Sequence, residues 1–216
     1  MAKSGARSRV TASTTGRSAD TRRLLVEAAI ETLKEAGYTG ASARAIADRA
    51  GSNQGLVFYH FGSVANLLLA ALDAVSADRL EKYNAAVAQV SSPEELVDVA
   101  AEIFSQDLDA GYVTVLVEMI AGASSTPGLG AEVAARIGPW FAFAREAIEK
   151  TLGRSPLASL LPTGDVAYAV VALYLGLEML SHLDGDRQRA TVLFAHAKKM
   201  AGLFEVLNGT QAKETP

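Results

Sequence analysis

Cysteine is absent from this chain, and the few residues that could support catalysis or metal binding are scattered along it. The 216 residues include six prolines and three histidines, and only 6% of them are aromatic. Without cysteine, the chain can form neither disulfide bonds nor thiolate metal sites. No His-x-x-x-His pair, Gly-x-Ser-x-Gly elbow or phosphate-binding loop occurs in the sequence. The sequence therefore predicts no enzyme, no metal site and no cofactor.

The overall composition is that of a globular helical protein. Half of the residues are hydrophobic and a fifth are charged, and proline is rare enough to leave room for long helices. The first 18 residues are polar and basic and contain no apolar stretch, which is unlike a secretory signal. We expect this segment to be a disordered basic arm, and we expect the protein to be cytoplasmic.

Charge is distributed unevenly along the sequence. Residues 1–62 contain nine Lys or Arg and five Asp or Glu, which gives +4, and the remainder carries -8 of the net charge of -4. A basic front on an acidic body is typical of a protein that presents one end to a nucleic-acid backbone. The alternative is a solvated basic tail on an ordinary acidic protein.

The segment from Ser42 to Ser63 has the pattern of a helix-turn-helix. Two short helical patterns lie on either side of Gly51, a residue that tolerates the positive φ of a sharp turn. Ser42 and Asn53 are suitable N-caps for the two helices.

The second of these helices has two contrasting faces. Helical spacing predicts that Val57, Phe58 and Phe61 point inward. The outward residues are then Gly55, Leu56, Tyr59 and His60. A small residue, an apolar residue, a phenol and an imidazole on one outward face indicate a binding surface.

From about Thr21 to Leu68, the chain resembles the N-terminal DNA-binding domain of the tetracycline-repressor (TetR) family of bacterial regulators. The residues that carry the resemblance are the Ser42 cap, the Ile46-Ala47 pair, Ala50-Gly51, Gly55, the run Val57 to Phe61, Ser63 and Leu67. The match covers about the first third of the chain, and the remainder is similar only in length and helical character. The sequence departs from the family at Val64, where a basic residue is usual, and at Phe58, where a tyrosine is usual.

The resemblance implies a DNA-binding role for the outward residues of the helix-turn-helix. The predicted DNA-binding residues are Ser42, Arg44, Asn53, Gln54, Gly55, Leu56, Tyr59 and His60. Ser42 and the amides that follow it would bind a phosphate, and Arg44 would reach a phosphate or a base edge. Gln54 would pair with adenine and Leu56 would pack on a thymine methyl group, while the last two residues would contact phosphates.

We expect an all-α protein in which a three-helix DNA-binding head is followed by a helical ligand-binding and dimerisation domain, with about nine helices in total. The predicted parts are a disordered basic arm (1–18), the helix-turn-helix domain (19–64), the ligand-binding and dimerisation domain (65–208) and a disordered tail (209–216). The first helix should run from near Ala19 or Asp20 to Gly37. Ser63 should cap a fourth helix whose second half, Asp78 to Tyr83, is charged and should be more exposed than its first half.

Later in the chain, proline and apolar residues define the expected helices. Ser92 and Pro93 begin one helix, and Gly138-Pro139 should interrupt another. The run from Val166 to Leu177 is apolar throughout, and its twelve residues are fewer than the roughly 20 that a membrane span needs. Such a helix must be buried on all sides, either in a monomer core or against a second subunit that Gly176 would allow to approach closely. In the TetR family the last two helices form the dimer interface.

A ligand pocket within the helical body is a further expectation. The candidate ligand-binding residues are Phe104, Glu118, Met119, Trp140, Phe143, Tyr174, Glu178 and His182. The apolar members of this set also suit a plain hydrophobic core. Glu118 and Glu178 are more informative, because a carboxylate in an apolar helix requires a partner or exposure to water.

Two functions remain open from the sequence. The first is a transcriptional repressor that binds a palindromic operator as a homodimer and is released by a small-molecule effector. The second is an all-helical small-molecule-binding protein or enzyme without DNA-binding activity. Neither interpretation involves a membrane.

Overall fold

The computed structural model describes the backbone of residues 5–152 and 162–211 and the side chains of residues 16–152 and 162–206. Within these ranges the protein is all-α, as predicted, with nine helices and no strands. The helices are α1 (Gly5–Gly40), α2 (Ala43–Arg49), α3 (Gln54–Phe61), α4 (Val64–Ala88), α5 (Pro93–Ala110), α6 (Tyr112–Ala123), α7 (Leu129–Leu152), α8 (Thr163–Asp184) and α9 (Gln188–Gln211).

The helices divide into two compact units that alternate along the chain. Unit 1 comprises Met1–Val75 and Glu118–Val133, and unit 2 comprises Ser76–Val117 and Ala134–Pro216. Helices α4, α6 and α7 each contribute residues to both units. The boundary after Val75 lies further along the chain than the predicted boundary after residue 64.

In unit 1, α1 packs against α2, and α2 packs against α3. Their buried side chains include Leu25, Leu33, Ile46 and Val57, all of them without solvent exposure. The apolar spacing of α1 and the helix-turn-helix pattern produce this core directly, because they place one apolar stripe of each helix toward the others.

The predicted beginning of α1 differs from the observed one. The helix starts at Gly5, so it includes most of the segment that we expected to be a disordered arm. No proline occurs in this stretch to prevent helix formation. The chain bends at Gly37, which has a φ of 68°, close to the predicted helix end. At the other end of the chain, α9 extends to Gln211, and residues 212–216 lie outside the described ranges.

Tyr38 is held in place within unit 1 by residues from α6 and the turn after it. Its backbone N–H donates to Glu118 Oε2 at 2.8 Å, and its hydroxyl lies 2.9 Å from Thr126 Oγ1. Gly122 gives the ring its space, since a Cβ there would lie 2.4 Å from the nearest ring carbon. A side chain at Gly37 would also be too close to its surroundings, because a Cβ there would lie 2.7 Å from Glu118 Oε2.

In unit 2, α5 packs against α9 and α8, and α7 packs against α8 around Ala144, Ala167 and Val171. The predicted interruption at Gly138-Pro139 is wrong, because α7 continues through Pro139. Proline lacks an N–H, and its ring opposes the carbonyl four residues earlier. The helix nevertheless runs through Pro139 and is 24 residues long.

Helix α8 is longer than the twelve-residue apolar run within it. Among the described residues, it is the one single helix that is long and apolar enough to cross a membrane, with a mean hydropathy of 1.6 over its best 18 residues. Its inner side carries the fully buried Glu178, which is paired with Arg79 of α4. This ion pair holds one side of α8 against the interior of unit 2, although only 22% of its most apolar 18 residues are buried within the chain.

Candidate DNA-binding surface and ligand site

Both caps of the helix-turn-helix form as predicted. Ser42 Oγ accepts a hydrogen bond from the Ala45 N–H at 3.2 Å, and Asn53 Oδ1 accepts one from the Gly55 N–H at 2.8 Å. Gly51 has a φ of 61°, which confirms the predicted turn. Each cap satisfies one of the backbone donors at the start of its helix.

The exposed side of α3 contains most of the residues predicted to contact DNA. Gln54, Gly55 and Tyr59 are exposed, with 78% of Tyr59 accessible, and Leu56 and His60 are half-buried. The rings of Tyr59 and His60 meet edge to face, with their centroids 5.0 Å apart. The helix therefore presents an amide, a gap without a side chain, and an aromatic pair on one surface.

Phe58 does not point inward, and that prediction is wrong. Val57 and Phe61 are buried, whereas Phe58 is 51% exposed. At 100° per residue, Val57 and Phe61 lie about 40° apart around the helix, but Phe58 is about 100° from Val57. It therefore adds an apolar ring to the exposed side of α3.

Most basic side chains of the head have partners within unit 1. Arg49 pairs with Glu35, Arg23 pairs with Glu27, and the Arg22 guanidinium lies 5.0 Å from the centre of the Phe61 ring. Arg44 lies 3.7 Å from Asp48, and its side chain is 84% exposed. An ion pair this exposed contributes little stability, so Arg44 can exchange its partner for a phosphate at low cost.

A buried ionic cluster occupies the interior of unit 2. The Arg79 guanidinium of α4 donates to the Asp107 carboxylate of α5 and to Glu178 Oε1 of α8 at 3.3 Å. Its Nε donates to the Tyr83 hydroxyl at 3.0 Å. Asp107 also accepts hydrogen bonds from the hydroxyls of Tyr83 and Tyr174. We call these five residues the Arg79 cluster.

Aromatic rings surround the guanidinium of the Arg79 cluster. The Arg79 Cζ lies 4.9 Å from the Trp140 ring centre, 5.6 Å from that of Tyr83 and 5.7 Å from that of Tyr112. Phe143 completes the aromatic group, with its centroid 6.3 Å from that of Tyr83. Ring faces are electron-rich, so this environment favours a cation.

The Arg79 cluster contains two carboxylates and one guanidinium. Burial and the nearby Asp107 raise the pKa of Glu178 to about 8, although Arg79 opposes this change. Burial acts to lower the pKa of Arg79, but Glu178 and Asp107 raise it overall. Burial also raises the pKa of Tyr83 and of Tyr174, so both phenols keep their protons. Among the described residues, Glu178 Oε2 has no hydrogen-bond partner.

Five of the eight predicted ligand residues lie at or beside the Arg79 cluster. Tyr174 and Glu178 belong to it, Trp140 and Phe143 are among its aromatic neighbours, and the buried Phe104 contacts Tyr174 edge to face at 5.6 Å. The structure does not place the other three there. Met119 is in the core of unit 1, Glu118 binds the Tyr38 N–H in the same unit, and His182 is exposed near the end of α8.

Arg79, Tyr83 and Asp107 are not among the residues predicted from the sequence. The pattern of α4 predicts that the stretch from Asp78 to Tyr83 is more exposed, but Arg79 and Tyr83 are each 6% exposed. A signal was present, because Arg79 and Tyr83 follow the buried Val75 at intervals of four residues and so lie on the same side of α4.

A cleft of about 360 Å³ lies between α5 and α9 in unit 2. Phe104 and Phe194, with centroids 5.3 Å apart, form part of its lining. Asp98 and Lys198, which pair at 2.6 Å, are also at the cleft. Its volume is within the range of small-molecule sites.

Comparison of the sequence with known families places its head among bacterial regulatory proteins of the tetR family, whose family model matches residues 25–71. The chain is 33% identical over 100 residues to an uncharacterized HTH-type transcriptional regulator of Mycobacterium tuberculosis, and the matched stretch is 46% of this chain and 51% of that protein. An uncharacterized HTH-type transcriptional regulator of Mycobacterium bovis matches with the same figures. The chain thus spans about half the length of the curated relatives it matches.

Solved structures share the fold over most of the chain. A protein from Rhodococcus sp., described as a TetR-family transcriptional regulator, has a TM-score of 0.67 and 21% identity, covering 88% of this chain and 99% of its own. Reduced NemR of E. coli has a TM-score of 0.69 and 16% identity over 84% and 97% of the two chains. FadR of Bacillus subtilis, solved with stearoyl-CoA, has a TM-score of 0.68 and 12% identity over 83% and 96%.

Proposed function

We propose that this chain, which belongs to the TetR family of bacterial regulatory proteins, is a cytoplasmic repressor that binds a palindromic operator as a dimer and releases it when a small-molecule effector binds. The observation that carries the proposal is the exposed side of α3, where Gln54, Gly55 and Tyr59 are accessible beside a correctly capped turn. The charge of +4 over residues 1–62 supports the same conclusion.

On DNA, the contacts separate into those that position the head and those that specify sequence. The N-terminal amides of α2 beside Ser42, together with Arg44 and Tyr59, would bind phosphates and fix the register. Gln54 begins α3 and would make the amide pair with adenine in the major groove. Gly55 is exposed and would let the helix approach the bases closely.

An exposed apolar surface on α8 and α9 supports dimerisation. Among the apolar residues of these two helices, Leu173, Leu180 and Leu183 on α8 and Met200, Leu203 and Val206 on α9 are 58–73% exposed. They lie opposite the buried sides of their helices, and leaving this much apolar surface in water is unfavourable. Gly176 lies within the same side of α8, and no described atom is within 4 Å of the position of its Cβ. A second copy of the chain would cover this surface and form an isologous interface.

Effector binding would act through unit 2. Helix α4 contributes Arg79 to the buried cluster and also contributes Leu67 and Leu72 to the core of unit 1. A ligand that alters the position of Arg79 would therefore act on a helix that both units share, which is the physical requirement for coupling two sites. FadR of B. subtilis, which has a similar fold, was solved with stearoyl-CoA, and this supports a small-molecule site within the fold.

Selection of DNA duplexes from a random pool by the full-length protein tests the proposal. The enriched duplexes should share a palindrome, and affinity for them should fall steeply with salt, because each neutralised phosphate releases a counterion. No enrichment at low salt would instead favour an all-helical small-molecule-binding protein without DNA-binding activity.

Arg44→Ala and Arg145→Ala form a matched pair for this assay. Both arginines are exposed and face an acid four residues later, at 3.7 Å and 3.8 Å respectively. Only Arg44 is in the head, so only its removal should weaken binding and reduce the salt slope by about 1. Equal effects of the two substitutions would remove Arg44 from the binding surface.

A further inference from the structure

The Arg79 cluster carries information about the chemistry of the effector. We propose that the effector is an organic cation, such as an amine or a guanidinium compound with an apolar body, that binds at the Arg79 cluster with the Glu178 carboxylate as its counter-charge. This inference rests on the effector-responsive function proposed above and names the ligand class for that site.

The first reason to expect a cationic ligand is the number of charges that are buried in the cluster. Arg79, Asp107 and Glu178 are 6%, 2% and 0% exposed, so water screens none of them effectively. When both acids are ionised the three groups sum to -1, and an uncompensated charge is costly in the interior. The cluster becomes neutral only by gaining one positive charge. An anionic ligand would increase the imbalance, whereas a cation removes it.

Glu178 provides the acceptor for that charge. Its Oε1 accepts from Arg79 at 3.3 Å, but no described residue donates to its Oε2, and the Asp107 carboxylate that lies beside Glu178 is itself an acceptor. In the free protein a proton compensates, because burial and Asp107 raise the pKa of Glu178 to about 8. A bound cation would replace this proton.

The aromatic residues provide a suitable environment for the rest of the ligand. Trp140, Tyr83 and Tyr112 surround the Arg79 guanidinium at 4.9–5.7 Å, so electron-rich ring faces that favour a cation line this part of unit 2. The cleft between α5 and α9 is the adjacent open space, because Phe104 both lines it and contacts Tyr174 of the cluster. A ligand that enters from this cleft would have to displace the Phe104 ring to reach Glu178.

Replacement of a proton by a cation makes binding dependent on pH. The charged and titratable groups around Glu178 are Arg79 and Tyr83 of α4, Asp107 of α5 and Tyr174 of α8. Both tyrosines keep their protons, since burial raises the pKa of each, and Arg79 stays charged. Glu178 is therefore the group that releases the proton, and cation affinity should rise as the pH approaches about 8.

Calorimetric titration of the full-length protein without DNA tests this inference. The probes are phenylguanidine, its uncharged analogue phenylurea, and benzoate as an anion. At pH 7 phenylguanidine should bind at least about tenfold more tightly than phenylurea, and benzoate should not bind at the cluster. Nearly one proton should be released per bound cation, and the buffer takes it up. Because phosphate and Tris have different heats of protonation, titrations in the two buffers should give different binding heats.

Two variants locate the binding. Glu178→Gln should abolish proton release and reduce phenylguanidine affinity about tenfold or more, whereas Glu102→Gln, an exposed acid on α5, should change neither. Three results would overturn the inference: no binding of phenylguanidine, equal binding of phenylurea, or unchanged cation affinity in Glu178→Gln. Because these titrations contain no DNA, they are independent of the repressor proposal. Operator binding without cation selectivity would refute only the ligand class, and cation binding without any operator would refute only the repressor.

Discussion

Replacing Glu178 by glutamine should make the protein more stable at alkaline pH. The substitution keeps the shape of the neutral acid, and the new amide can accept from Arg79 and donate to Asp107, the two partners that surround Glu178. It removes the carboxyl group of the Arg79 cluster whose pKa burial and Asp107 raise to about 8. The wild-type chain should therefore lose stability with rising pH, and the variant should not.

The size of this loss of stability follows from the pKa of Glu178 in the unfolded chain and in the folded protein. Glu178 has its ordinary pKa of 4.5 in the unfolded chain and a pKa of about 8 in the folded protein. Between these values the folded state holds a proton that the unfolded state has released, so the free energy of unfolding decreases as pH rises through this window. At about 1.4 kcal/mol per pH unit, the full effect is on the order of 5 kcal/mol above pH 8.

Urea unfolding of both proteins from pH 5 to pH 9, at one fixed protein concentration, measures this difference. The two should have nearly equal unfolding free energies at pH 5 and should separate progressively above it, with Glu178→Gln the more stable. Glu102→Gln controls for the loss of one formal charge at an exposed position. A variant that is destabilised by the same amount at every pH would refute the assignment of a proton to Glu178.

Further substitutions test the dimer, the packing of unit 1 and the head. Gly176→Leu has open space around its Cβ within the chain, so it should leave the fold intact but shift sedimentation toward the monomer. An unaltered dimer would exclude that side of α8 from the interface. Gly122→Ala should destabilise the protein by about 1–3 kcal/mol, because its Cβ would overlap the Tyr38 ring; a melting temperature equal to wild type would contradict this packing. Ser42→Ala should cost about 1 kcal/mol through loss of the α2 cap and should weaken operator binding. Gln54→Ala should relax base preference while retaining affinity, and an unchanged selected sequence would rule out the adenine contact.

Features governed by neighbouring residues could be predicted from the sequence. The caps at Ser42, Asn53 and Ser92 and the turn at Gly51 are confirmed, because a capping side chain binds a backbone donor two or three residues away. The family resemblance depended on the same local array. It therefore identified the head correctly and gave only the helical character of the remainder.

Features that depend on distant residues could not be predicted in the same way. Arg79 lies 28 residues from Asp107 and 99 from Glu178, and nothing in the sequence between them shows that they meet. An arginine near the middle of a charged stretch ordinarily indicates a solvated surface. The outcome at Pro139 also depended on more than its neighbours. Proline ordinarily ends or kinks a helix, but α7 continues through Pro139. The partner of Glu118 was equally hidden in the sequence, because it is the half-buried backbone N–H of Tyr38, 80 residues earlier.

The hydrogen bond between Tyr38 and Glu118 also has a consequence for synthesis of the protein. It joins residues 80 positions apart, and the Tyr38 hydroxyl reaches a further eight residues along, to Thr126. A ribosome must therefore translate more than half of the chain before the first helix acquires these partners. Nascent heads should remain incompletely stabilised until α6 has emerged from the ribosome, although N-terminal domains often fold as soon as they are made. The cell would thus gain a competent DNA-binding head only after the first segment of unit 2, Ser76–Val117, had been translated.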